Sequence, residues 1–203
     1  MMRWTLIGLT ALSLACVEDL SKGFGPADAD TDADSDADTD PTWDTTISEP
    51  DADGVREVFL NAASSLSWVL IDLDNAEIVE DESGPWSVGF QRFIVKVNGG
   101  VSGDAGVEAA WQDIEFDDAT TAPTDGWLTD EPDADDDGDL EYAFDSWFDY
   151  DSSTHVVTPG GGTWFVRSAG GNTYALVFRA YYNGAGDAGY PQIAYKPVAD
   201  TQD

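Results

Sequence analysis

The chain has 203 residues, with 41 Asp and Glu against 8 Lys and Arg, a formal charge of −33. A field of that sign repels phosphate backbones and anionic lipid surfaces, which argues against a nucleic-acid partner. One cysteine, Cys16, excludes an intrachain disulfide, and one histidine, His155, leaves Ser-His-Asp, Cys-His and multi-histidine zinc sites short of parts.

The first element is a leader. Arg3 is followed by an apolar run from Leu6 to Leu14 and by small Ala15 just before Cys16. The run is too short to span a bilayer and suits a signal peptide. Residues 1–16 therefore read as a lipoprotein-type signal with Cys16 as the lipidated residue. Ser13 stands where a large aliphatic residue is usual, so an ordinary secretory signal cleaved near Ala15 is the alternative. Either way the protein is expected to be exported, and lipidation would hold it at an outer membrane or cell surface. Residues 28–40 then read DADTDADSDADTD. With no large apolar side chain, nothing offsets the entropy of ordering such a tract, and like charges extend it. Residues 17–54 are expected to form a disordered acidic tether.

A single compact, all-β domain is expected over residues 55–199, with a short tail at 200–203. Val58-Phe59-Leu60 and Trp68-Val69-Leu70-Ile71 read as strand cores. Trp86, Val88 and Phe90 alternate on one face, and Phe93, Val95 and Val97 continue with opposite parity. A parity change inside one apolar run predicts a bulge or bend near Gln91-Arg92. Val107 to Trp111 is the helix candidate, and it is short. Trp164 to Arg167, the turn Gly170-Gly171-Asn172 and a long alternating run from Thr173 to Tyr182 predict a hairpin. Pro191 to Tyr195 offers a last strand.

Two places could carry chemistry. Asp133, Asp135 and Asp137 precede Gly138, a spacing that can converge oxygens on Ca²⁺. The twelfth position of an EF-hand would be Phe144 rather than glutamate, which leaves an irregular calcium loop or a solvated acidic loop. His155 lies between Ser152-Ser153-Thr154 and Val156-Val157, at a loop edge or strand entry, with Trp147, Phe148 and Tyr150 before it and Trp164 and Phe165 after it. An imidazole amid aromatic β surface suits a flat apolar macrocycle with a ligated iron.

Several of these pieces recur in one order. They are Trp86 before an apolar strand, Asn98-Gly99-Gly100 with Gly103, the Trp147-Phe148-x-Tyr150 cluster, Val166-Arg167, the glycine-turn hairpin into Tyr181-Tyr182, and Gly189-Tyr190 with Tyr195. Over roughly residues 55–199 the chain resembles the HmuY family of bacterial haem-binding surface lipoproteins. The resemblance implies a lipid-anchored, β-rich, non-enzymatic protein that takes haem or a related tetrapyrrole and passes it towards an outer-membrane receptor. It makes His155 the candidate iron ligand, with Trp147, Tyr150 and Arg167 as candidate pocket residues. Family members hold iron between two histidines or methionines. Here Met1 and Met2 lie in the leader, so no second ligand of those types is available, which leaves a tyrosinate, water or a second protein chain to complete the coordination. The alternative is a non-haem binding module on the same scaffold, one version of it stabilised by calcium.

Overall fold

A computed structural model describes residues 43–200 except 135 and 137, so the leader, Cys16 and most of the expected tether lie outside the described residues. The described strands are β1 (Thr46–Ile47), β2 (Arg56–Phe59), β3 (Val69–Asp72), β4 (Glu77–Val79), β5 (Val88–Gln91), β6 (Ile94–Val97), β7 (Glu108–Gln112), β8 (Phe148–Asp151), β9 (Val156–Pro159), β10 (Thr163–Arg167), β11 (Thr173–Tyr182) and β12 (Ala188–Pro197). They form a six-stranded sheet in the order β1-β2-β12-β11-β10-β7, a four-stranded sheet β4-β3-β5-β6, and the hairpin β8-β9. Every pairing between named strands is antiparallel.

The long strand β11 is apolar on both faces because both are covered. Tyr174, Leu176 and Phe178 join Val88, Phe90, Val95 and Trp147 in the main core between the sheets. Ala175 and the partly buried Val177 point the other way, into a smaller cluster with Phe165 and Phe116. Phe116 is carried by a single 3-10 turn, Phe116–Asp118, which caps the outer face of the large sheet. Period-two alternation thus places two separate apolar sets on one strand.

Three sequence expectations are corrected. Arg92 and Phe93 do not bend one strand; they are the two-residue turn of a β5-β6 hairpin, in which Gln91 pairs with Ile94. Arg92 takes a positive φ of 54° there, a conformation usually left to glycine, so the turn carries no glycine signal. Val107 to Trp111 is not helical: β7 pairs along β10, with Trp111 opposite Trp164 and Ala109 opposite Val166. Pairing overrides the helical preference of Ala109 and Ala110. The folded part also begins before Val55. Trp43 packs on Phe59 at 5.6 Å between ring centroids, and β1 pairs with β2.

Asn98-Gly99-Gly100 is explained by close approach. A Cβ on Gly99 would collide with the carbonyl oxygen of Val107, and one on Gly100, at φ 61°, with that of Asp130. These glycines let the chain leaving β6 lie against the start of β7, where the Val107 N–H donates to the Asn98 carbonyl at 3.0 Å.

Asp74, after β3, joins the four-stranded sheet to the β10-β11 turn. Its carboxylate accepts from Ser168 Oγ (2.7 Å), Gly170 N (2.8 Å), Asn172 Nδ2 (2.8 Å) and Tyr174 Oη (3.2 Å). Burial opposes its ionisation, but the bonds from Asn172, Ser168, Gly170 and Tyr174 outweigh burial and hold it below the ordinary value of 3.8. Asp74→Ala should therefore cost roughly 2–4 kcal/mol in urea unfolding at neutral pH. The folded pKa is depressed, so this contribution is present above about pH 3.8 and is lost as pH falls through the folded value. The difference between wild type and variant should shrink in that acid range.

Candidate functional site

The hairpin β8-β9 presents the sequence-predicted histidine. Its turn, residues 152–155, is organised by Asp151, which accepts from the Ser153 N–H at 2.8 Å and from Ser153 Oγ at 2.7 Å. These bonds and those from the side chain and backbone of Thr154 bring the Asp151 carboxyl down to about 2. His155 closes the turn at φ 57°, a left-handed conformation in which His is enriched among non-glycine residues. Tyr150 Oη lies 2.5 Å from His155 Nδ1, and both side chains are exposed.

Below the hairpin is a groove of about 490 Å³, lined among others by Phe93, Leu140, Tyr142, Phe144, Trp147 and Phe148. That size is ordinary for a small-molecule site. Phe148 packs on Phe93 at 5.8 Å and on Trp147 at 5.0 Å between centroids. Tyr150 lies two residues beyond Phe148 on β8 and therefore on the same face. One aromatic strip thus runs from the groove through Phe93 and Phe148 to Tyr150 and His155. The large exposed fractions of Phe93 (43%) and Tyr150 (54%) leave ring surface for a ligand.

The rim carries Asp139, Glu141 and Asp145. Arg92 precedes the groove residue Phe93 in the β5-β6 turn. It bonds to the hydroxyl of Tyr181, whose pKa is raised by burial and partly restored by that contact. Sequence reading missed Arg92 and Phe93 as site residues because the turn holding them has no turn-type residues.

The other predicted residues are dispersed. Trp147 is 2% exposed and belongs to the core, reaching the groove only as its floor. Arg167 stacks over Trp127 at 3.9 Å and pairs with Glu108 at 3.0 Å. It lies opposite Thr173, at the start of β11, whereas the hairpin is tied to the far end of that strand, Tyr182 Oη accepting from the Val157 N–H at 2.9 Å. Nine strand residues separate these points by about 30 Å, so Arg167 does not join His155. Asp133 Oδ2 accepts from the Gly138 N–H at 2.9 Å. Asp135 and Asp137 lie outside the described residues, and among the described residues no group of three His, Cys, Asp or Glu side chains could hold a metal ion.

The wall of the groove depends on Asp130, which is 1% exposed. One carboxylate oxygen accepts from the Val97 N–H on β6 at 3.0 Å and the other from the Ala143 N–H at 2.9 Å. Burial raises its pKa; bonds from Ala143, Ser102 and Val97 and the charge of Lys96 work against the rise without cancelling it. In an acidic sequence nothing distinguishes this aspartate from its neighbours.

The family model for HmuY protein matches residues 64–195, and the chain belongs to the HmuY family. No curated protein sequence matches it. Among solved structures it is similar to one from Bacteroides vulgatus described as HmuY-like and heme-binding, with 17% identity and TM-score 0.59 over 75% of this chain and 97% of that one. It is also similar to a Bacteroides fragilis protein described as a lipoprotein, with 22% identity and TM-score 0.56 over 71% of this chain and 90% of that one. A third is the apo form of a HmuY analogue from Tannerella forsythia, with 13% identity and TM-score 0.55 over 76% and 97%. At these identities the likeness establishes the shared all-β fold.

Asp130→Ala leaves two buried N–H groups without an acceptor and should lower stability by roughly 2–4 kcal/mol in denaturant unfolding. The sign of its pH dependence is opposite to that of Asp74. A folded pKa raised above 3.8 means that protonation favours the fold, so this group's contribution is fullest below pH 3.8 and declines as pH rises through the folded value. Asp130→Asn should remove that slope.

Proposed function

We propose that the protein is an exported, lipid-anchored binding protein, not an enzyme, that takes haem or a related tetrapyrrole on the aromatic strip. The observation that carries this reading is the Tyr150–His155 pair at the end of the strip, iron-ligating side-chain types beside exposed aromatic rings. Membership of the HmuY family supports it, as does the similar Bacteroides vulgatus structure described as heme-binding.

The residues present fit the group. Phe93 and Phe148 supply apolar surface for a macrocycle, and the groove beside them can exclude water from one face. The Tyr150–His155 pair supplies donor atoms for iron. The acids at 139, 141 and 145 oppose a ligand carboxylate at the rim. Bound haem would supply the iron; the chain's own part is to orient the ring, shield it and donate to the metal. The leader ending at Cys16 supports anchoring by lipid at an outer membrane or cell surface, with the Asp-rich tract as a spacer. Transfer to an outer-membrane receptor follows from the same reading.

Titration of the full chain with haemin, read by absorbance in both redox states, tests it. A saturable one-to-one Soret shift with sharp reduced bands is expected. Broad absorbance that never saturates would contradict haem binding.

A further inference from the structure

Resting on the reading of the groove as a tetrapyrrole site, we propose that it selects its ligand by charge: the class it takes best is a macrocycle whose edge carries amides, esters or cations in place of free carboxylates. Haemin, with two carboxylates, is then a poorer ligand than the same ring with both of them capped.

The groove is lined by residues 93–95 of the β5-β6 hairpin, by Trp147 and Phe148, and by most of the segment 139–145. That segment brings Asp139, Glu141 and Asp145, and no Lys or Arg is among the described lining residues. Its course is fixed. Glu131 and Glu141 exchange backbone hydrogen bonds of 2.8 and 3.1 Å, and the Ala143 N–H donates to the buried Asp130 at 2.9 Å. Asp145 Oδ2 accepts from the Tyr142 N–H at 3.0 Å, and Glu141 Oε1 from the Ala134 N–H at 3.2 Å. Two of the three carboxylates therefore cannot swing away without losing a backbone donor.

A group in the groove lining already feels this wall. The Tyr142 phenol is held above its ordinary value, first by burial and then by the charges of Asp130, Asp139 and Asp145. What disfavours a phenolate there disfavours a ligand carboxylate for the same reason. The described cations have other partners. Lys96 lies on Trp68 and Trp86, Arg167 on Trp127, and Arg179 and Lys196 on Phe116. Arg56 donates to the Ser48 carbonyl, and Arg92 bonds to the Tyr181 hydroxyl. A seated ring has part of its edge near the acids, and its outer carboxylates still lie within the screening length at low salt. Capping them removes the repulsion and leaves the apolar contacts with Phe93 and Phe148 unchanged.

The test is titration of the full chain with haemin and with its diamide, in which both carboxylates are primary amides. It is run at ionic strengths of about 0.01 M and about 1 M, where screening lengths are about 30 and 3 Å. The diamide is expected to bind at least about 10-fold more tightly at low salt, with the ratio falling towards one at high salt. A triple variant, Asp139→Asn, Glu141→Gln and Asp145→Asn, keeps an acceptor oxygen at each position. It should close the low-salt gap by tightening haemin alone. Haemin binding as tightly as the diamide at low salt, or more tightly, would overturn the proposal and leave the haem reading standing. So would a ratio that high salt does not reduce, and this wild-type series decides the matter even if the triple variant fails to fold. A folded triple variant with the wild-type ratio would overturn it as well. Saturation by neither macrocycle would overturn the proposal and the haem reading together.

Discussion

The indole of Trp147 joins the core to the candidate site. It stacks on Phe178 of β11 at 4.3 Å with planes 22° apart, and its Nε1 donates to the Phe93 carbonyl at 2.8 Å. One side chain therefore fixes the long strand of the large sheet, the β5-β6 turn of the small sheet and the entry to β8. The groove exists because these three elements meet around a buried ring that floors it. An aromatic group of this size contributes apolar burial and a directed bond together, so it holds position as well as proximity. The exposed rings of Phe93 and Tyr150 lie at the far edges of elements that Trp147 anchors.

Charge imposes the second constraint. In so acidic a chain the few cations would be expected to gather carboxylates, yet most are laid over aromatic faces. Lys96 lies between Trp68 and Trp86 and bonds to Glu82, Arg167 covers Trp127, and Arg179 and Lys196 both approach Phe116. Attraction to ring faces and the packing of aliphatic stems make these residues part of the fold.

Much of the fold could be read from alternation. The hairpin of β10 and β11 and the final strand β12 were visible because runs of period two were bounded by glycine. The β5-β6 reversal was not, since Arg92 holds a positive φ without being glycine, and the strand pair read as one bent run. Likewise β7 was obscured by two alanines whose local preference is overruled by pairing with β10. At the site, Tyr150 and His155 were legible as an aromatic and a lone histidine five residues apart, a spacing that a hairpin folds into contact. Arg167, named from the family resemblance, lies opposite Thr173 at the end of β11 remote from the hairpin, on Trp127 and Glu108. Asp130 and Asp74, which hold the sheets and the groove wall, were hidden by the abundance of acids.

The most direct measurement is two-dimensional NMR of the chain titrated with gallium protoporphyrin, a diamagnetic stand-in for ferric haem. Shifts concentrated at Phe93, Phe148, Tyr150, His155 and Val156 are predicted, with Arg92 moving alongside them. Shifts centred instead on Phe116, Arg179 and Lys196, on the outer face of the large sheet, would contradict the account.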